Sequence, residues 1–273
     1  MANLKDHKSS ELTKMLLIGD SGTGKTGALA ALANKGMKLR ILDFDNGLDS
    51  LVSALGGPSG KNIGNVEYVS LRDGYKAGPV GPILDGMPNT FVNAMRMLTD
   101  WDPSKLSGVP ADIKTGNKLG SPATWGKDYC LVIDSLTFLG DAAYDQCLAM
   151  NPSAKDLRQI YGAAQDGLSN VLSLITSGSF NTNLVVISHV RYVERPDGTT
   201  KGYPSAIGGA LSLKIATYFN SVALCESSGT PPKRTIRTAA TALVDLKNPA
   251  SFRMLAALPL ETGLADFFAT VQA

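Results

Sequence analysis

The stretch that most constrains this chain is Gly19-Asp20-Ser21-Gly22-Thr23-Gly24-Lys25-Thr26, followed by Gly27. It fits G-x-x-x-x-G-K-[ST], the spacing of a phosphate-binding loop. The apolar run Met15 to Ile18 ahead of it reads as a short buried strand. Behind it, Ala28, Leu29 and Leu32 recur at helical spacing, and Gly36 can end that helix. Strand, loop and helix are the context the motif requires. Gly22 and Gly24 lack the Cβ that would block close approach to a phosphate or forbid the dihedrals. The N–H groups of residues 19–27 and the helix dipole then face phosphate oxygens. Lys25 is expected to reach the β- and γ-phosphates and the Thr26 hydroxyl to hold Mg²⁺, so ATP and Mg²⁺ are the predicted cofactors.

A chain of 273 residues is long enough for one large α/β domain with a sizeable core. With 44% hydrophobic and 18% charged residues it is globular rather than disordered. A net charge of only +2 requires any nucleic-acid surface to be a local patch. No apolar run reaches membrane-spanning length, and residues 1–14 lack the apolar core of a signal peptide. Cys130, Cys147 and Cys225 are widely spaced, without a metal-ligand pattern, and read as reduced thiols. A cytoplasmic protein is the expectation, in the host cytoplasm if the chain is phage-encoded.

Leu39 to Phe44 reads as a second strand, ending in two acids, Asp43 and Asp45. Asp45 is placed either to polarise an attacking water or to cap a helix over 47–55, and Asp43 is expected to point the opposite way. Val66 to Ser70 reads as a third strand, 72–88 as Gly/Pro-rich loop, and 89–101 as a helix with Phe91, Val92, Met95 and Leu98 on its core face. Residues 102–128 are polar and rich in Gly and Pro, carrying Lys105, Lys114, Lys118, Lys127 and Trp125. They read as a long flexible loop, solvated or partner-binding. Tyr129 to Asp134 is apolar until its last residue, which places Asp134 in the Mg²⁺ shell beside Ser135. A long amphipathic helix covers 156–177.

Leu184 to Ser188 is a fifth strand that delivers His189 to the same sheet edge, as a γ-phosphate sensor or as a plain surface histidine. From Arg191 to Gly209, basic, aromatic, Gly and Pro residues alternate. Arg191, Arg195 and Lys201 can neutralise phosphates and Tyr192 or Tyr203 can stack on bases; a solvated charged hairpin is the plainer reading. Between Arg191 and Arg237 seven Lys/Arg stand against three Asp/Glu. A short helix over 210–218, strands over 220–225, 234–239 and 254–258, and a helix over 261–271 complete the chain, the last with Leu264, Phe267, Phe268 and Val271 inward.

The order of these elements resembles the RecA/RadA recombinase ATPases over roughly residues 14–240. GDSGTGKT matches the family's phosphate loop, and ILDFDNGLDSL its strand-two segment, where the water-polarising acid falls on Asp45. LVIDSLT is similar to its Walker B strand, and VVISHVR stands where its sensor strand ends Asn-Gln, here Ser188-His189. Residues 192–209 resemble the family's second DNA-binding loop, and ALSLKIATYFNSVALC resembles the helix and strand next to it. Without large flanking domains, the chain is similar to phage Sak-type single-strand annealing ATPases.

The resemblance implies one RecA-like α/β domain over 1–273, with a mostly parallel twisted sheet flanked by helices and a C-terminal β extension. It implies DNA-stimulated ATP hydrolysis with Lys25, Asp45 and His189 as catalytic residues, and Thr26 and Asp134 on the metal. It also implies single-stranded DNA on Arg191, Arg195, Lys201 and Tyr203, in phage recombination or annealing. Nucleotides lie between subunits in this family, so a filament or ring is expected. Lys233, Arg234 and Arg237 are the candidates to act on a neighbour's site, and a single-stranded-DNA-binding protein is a further candidate partner. A DnaB-like helicase motor and a nucleotide-gated DNA-binding module with little turnover remain alternatives.

Overall fold

The computed structural model describes residues 11–273. The segment 1–10, part of the stretch read for a signal peptide, lies outside the described residues. In chain order the elements are β1 (Lys14–Ile18), α1 (Lys25–Ala28), α2 (Ala30–Asn34), β2 (Lys38–Asp43), α3 (Asp49–Ala54), β3 (Val66–Ser70), β4 (Tyr75–Gly78), β5 (Gly81–Leu84), α4 (Thr90–Thr99) and β6 (Gly126–Asp134). They continue with α5 (Leu136–Met150), α6 (Leu157–Thr176), β7 (Thr182–Ser188), β8 (Val190–Glu194), β9 (Thr200–Pro204), α7 (Gly209–Ser212), β10 (Ser221–Ser228), β11 (Lys233–Arg237), β12 (Ala257–Pro259) and α8 (Leu260–Gln272).

One eight-stranded sheet runs in the order β12-β11-β10-β1-β7-β6-β2-β3. The strands from β10 to β3 are parallel, and β11 and β12 extend the sheet antiparallel. This is the α/β architecture expected, including the C-terminal β extension. The central strands are apolar on both faces because helices cover both. Leu16 and Ile18 face the core under α4, α5 and α6, while Met15 and Leu17 face the core under α1, α2 and α8. Leu264, Phe267, Phe268 and Val271 of α8 are buried in that second core, as their spacing implied. The topology puts β7 between β1 and β6, with Ile18 level with Ser188, and Asp134 level with Ile187 and Asp43. Four strand ends therefore open onto one edge of the sheet.

Three stretches differ from the sequence reading. Residues 72–88 contain the β4–β5 hairpin rather than loop throughout. The segment 102–128 is folded against the core. Trp125 packs on Trp101 at 5.4 Å between ring centroids and donates from its indole to the Leu119 carbonyl, and Trp101 bridges to Gly120. Lys118 pairs with Asp102 at 3.2 Å, and Lys105 with Asp100. The aromatic contacts and the backbone bridge join distant positions, which the local Gly/Pro content of this stretch conceals. Residues 190–204 form the β8–β9 hairpin, a shape the sequence reading allowed, and 205–208 lead on to α7. Helix α5 had no counterpart in the sequence reading, because its apolar residues are spread around it: Leu136, Leu139 and Ala143 are buried while Phe138, Leu148 and Met150 are exposed.

Candidate nucleotide site

Gly22 and Gly24 sit at φ 78° and 93°, in the left-handed region that glycine enters without a Cβ penalty. Gly24 is also the N-cap residue of α1. The loop is tied to itself by Thr23, whose hydroxyl donates to the Asp20 carbonyl at 2.8 Å. Lys25 is buried and folds back, its Nζ donating to the carbonyls of Gly19 at 2.9 Å and Asp20 at 2.8 Å. Burial lowers its pKa, and the nearby carboxylates Asp134 and Asp45 oppose that shift. Burial pushes the Cys225 thiol up to about 12, so it packs beneath the loop as a neutral group.

The Thr26 hydroxyl donates to Asp134 Oδ2 at 2.7 Å. Asp134 is 1% exposed, and burial pushes its pKa up to about 7 against the pull of that hydrogen bond, with Asp45 and Asp43 adding to the rise. Its second oxygen, Oδ1, is buried and finds no hydrogen-bond partner. An unpartnered buried carboxylate oxygen is costly. A hydroxyl and a carboxylate are hard oxygen donors of the kind Mg²⁺ takes, and the orphaned oxygen is what such an ion would satisfy. The residues present fit the ion.

Asp45 stands across the cleft, its Oδ1 accepting from the Ser135 hydroxyl at 2.9 Å. Burial raises its pKa, and the Ser135 bond works the other way. It does not cap the following helix: α3 begins after Leu48, and no side chain caps it. Asp43 is turned away, accepting from the Asn46 backbone N–H and the Ser70 hydroxyl, both at 2.9 Å. Strand alternation is not the cause, since residues two apart on a strand share a face. β2 ends at Asp43 and the chain bends at Phe44 and Asp45, so strand geometry no longer holds at Asp45 and the two acids part.

His189 lines the same cleft as Lys25, Asp45 and Asp134. Burial and the charge of Lys25 lower its pKa, so the imidazole is neutral at pH 7. Its backbone N–H donates to the Thr137 hydroxyl at 3.2 Å, and its carbonyl accepts from the Ser205 N–H at 2.7 Å. These bonds fix the entry and exit of the β8–β9 hairpin. Neither Thr137 nor Ser205 was singled out from sequence, because nothing local marks a long-range tie. The same holds for the reach of Tyr192, whose hydroxyl donates to Asp20 Oδ2 of the phosphate loop at 3.2 Å.

The residues expected to bind DNA are partly engaged within the chain. Lys201 pairs with Asp245 at 2.6 Å, and Arg195 donates to the Tyr203 hydroxyl at 3.0 Å. Arg191 is exposed and opposite Tyr203 in the hairpin register. Of the three cations expected to reach a neighbouring subunit, Arg237 is held by Glu226 at 2.7 Å, and Lys233 is exposed. Arg234 lines the cleft of its own chain. Among the described residues no helix is long and apolar enough to cross a membrane.

A family model described as "AAA domain" matches residues 11–250. No curated protein matches. Among solved structures, similarity extends to a prototypical ATPase from the type III secretion system of pathogenic bacteria, at 12% identity and a TM-score of 0.40, covering 78% of this chain and 51% of that one. It also extends to the flagellar accessory protein FlaH from Methanocaldococcus jannaschii, at 11% identity and a TM-score of 0.34, covering 82% of this chain and 76% of that one. The chain therefore spans about half the length of the secretion ATPase.

Proposed function

This chain belongs to the AAA-domain family, and we propose that it is a Mg²⁺-dependent ATPase that works as a homo-oligomer and couples its nucleotide state to single-stranded DNA, in phage recombination or annealing. The observation that carries the ATPase reading is the convergence of Lys25, Thr26, Asp134 and Asp45 on one cleft, with an unsatisfied Asp134 oxygen inside it. The loop N–H groups cradle the phosphates, and the Lys25 ammonium leaves the loop carbonyls for the β/γ oxygens. Thr26 and Asp134 would hold Mg²⁺, which would supply positive charge to offset that of the phosphate oxygens. Asp45 orients the attacking water and takes its proton; its raised pKa strengthens it as a base. Neutral His189 can accept or donate a hydrogen bond near the γ-phosphate, and its backbone leads directly into the hairpin.

The DNA part of the reading is supported by that connection and by exposed Arg191 with Arg195 and Tyr192 on the hairpin. ATP hydrolysis measured with and without Mg²⁺ and a single-stranded oligonucleotide tests both parts. Turnover should vanish on chelation, fall steeply in Lys25→Ala, and rise with DNA. Wild-type turnover in Lys25→Ala rejects the ATPase; active protein that neither binds nor responds to DNA rejects the partner.

A further inference from the structure

Arg234 stands on β11, a strand inside the sheet, paired with Ser227 of β10 and one step from the β12–α8 junction. Its stem runs directly over the phosphate loop. A Cβ on Gly24 would lie 3.1 Å from Arg234 Cδ and 2.6 Å from a Leu260 methyl. The side chain thus enters the cleft that Lys25, Asp45 and Asp134 line. It makes no ion pair or hydrogen bond among the described residues, whereas Arg237 on the same strand is held by Glu226. Gly24 is required by its φ of 93°, and a Cβ there would also push the arginine and leucine side chains aside.

From this geometry we infer that Arg234 acts in its own subunit, as a residue that contacts the phosphate tail of the nucleotide bound by the same chain. The inference builds on the proposed nucleotide site. A guanidinium presents a planar fork that matches two phosphate oxygens at once, and it remains charged at any working pH. It complements Lys25, which reaches the phosphates from inside the loop, by approaching from the β11 side. An arginine supplied in cis stabilises charge on the transferring phosphoryl group as well as one supplied by a partner. A strand in the sheet fixes its base more firmly than a loop would. Lys233 and Arg234 are both exposed, but reaching a neighbour's site would require the Arg234 side chain to leave the loop its stem already covers, so Lys233 is the better placed of the two for such a role.

The test uses the full chain, the fluorescent analogue mant-ATP with Mg²⁺, and three variants: Arg234→Gln, Arg234→Lys and Lys25→Ala. Circular dichroism and thermal melts establish that each is folded. Arg234→Gln should weaken mant-ATP binding about 10-fold, with Arg234→Lys in between, as expected for loss of a charge-assisted phosphate contact. Dilution to monomer should leave that difference intact, because no neighbour is needed. If the chain associates, Arg234→Gln and Lys25→Ala are then mixed and ATP turnover is read. An arginine acting in cis leaves every site in the mixture short of one group, so the mixture stays as inactive as its components. Recovery on mixing overturns the inference, since only a residue acting across subunits can complement a second subunit's intact loop. Wild-type affinity in folded Arg234→Gln overturns it too. Wild-type protein that binds no mant-ATP at all rejects the nucleotide site itself, a different failure.

Discussion

The sheet edge around Lys25 and the β8–β9 hairpin are neighbours joined by His189, yet they are built in opposite ways. At the sheet edge, polar side chains are buried, few and convergent. Lys25, Thr26 and Asp134 are held by bonds to one another and to the loop, and one carboxylate oxygen is left unsatisfied. On the hairpin the cations are more numerous and mostly open to solvent: Arg191 and Arg195 are exposed, Arg195 donating to the Tyr203 hydroxyl, while Lys201 is half-buried and paired with Asp245. A group that burial leaves unsatisfied points to a ligand, because desolvation is costly and something must offset it. An exposed and paired charge points nowhere by itself. The first region should therefore respond to substitution steeply and the second shallowly, and substitutions in each can break or sharpen that contrast.

Lys25→Ala should give the broadest effect, lowering nucleotide affinity and turnover together, the latter by about 10²–10³-fold, the scale of removing one preorganised donor from developing charge. Isothermal titration with ATP and a phosphate-release assay check it. Asp45→Asn should separate the two quantities. The amide is nearly isosteric but cannot take a proton, so turnover should fall about 10²–10⁴-fold with ATP binding intact. Unchanged turnover would leave Asp45 as a partner of Ser135 alone.

Asp134→Asn sharpens the same contrast through stability. The folded carboxyl titrates near 7 and its ordinary value is 3.8, so the folded state holds a proton that the unfolded state has lost in that window. Stability of the metal-free protein therefore falls as pH rises from about 4 to 7, and the full cost is present above 7. The asparagine removes that cost. It should raise the metal-free protein's stability by about 1 kcal/mol at about pH 8, with little change near pH 4, while abolishing Mg²⁺-dependent turnover. Thermal melts in chelator at both pH values measure it. Equal shifts at both pH values would remove ionisation as the cause.

The two regions also differ in how far they could be read from sequence. The phosphate loop was legible because its fixed residues answer backbone requirements: Gly22 and Gly24 must enter the left-handed region, and Lys25 must follow at the helix start. The sheet was legible because strands buried on both faces are continuous apolar runs. The strand order, which brings β7 between β1 and β6, rests on crossovers that no local pattern encodes. The folding of 102–128 depends on Trp125 meeting Trp101 across more than twenty residues of Gly- and Pro-rich chain. The hairpin's charge was misjudged for a simple reason: counting from Arg191 to Arg237 stops short of Asp245, which lies beyond that window in sequence and against Lys201 in space.

That misjudgement yields the smallest effect and the most discriminating test. If the hairpin binds single strands through phosphates, each cation that neutralises one contributes about 0.7 to the slope of log affinity against log salt. Arg191→Ala and Arg195→Ala should each flatten the slope by about that amount. Lys201→Ala should barely change it, because the Lys201 charge is already countered by Asp245 at 2.6 Å. Asp245→Asn should do the reverse of the arginine substitutions. It releases Lys201 to DNA and removes a negative charge, so affinity at low salt rises and the slope steepens. Anisotropy titrations of a labelled oligonucleotide at several salt concentrations read all four variants against wild type. Tyr192→Phe belongs in the same series, because it removes the hydroxyl bond to Asp20 without removing the ring. If that bond carries nucleotide state to the hairpin, the variant keeps its salt slope and loses the difference in DNA affinity between ATP and ADP; by linkage, DNA then ceases to shift the preference between the two nucleotides. A full nucleotide dependence in Tyr192→Phe would leave the His189–Ser205 backbone as the remaining path between the two regions.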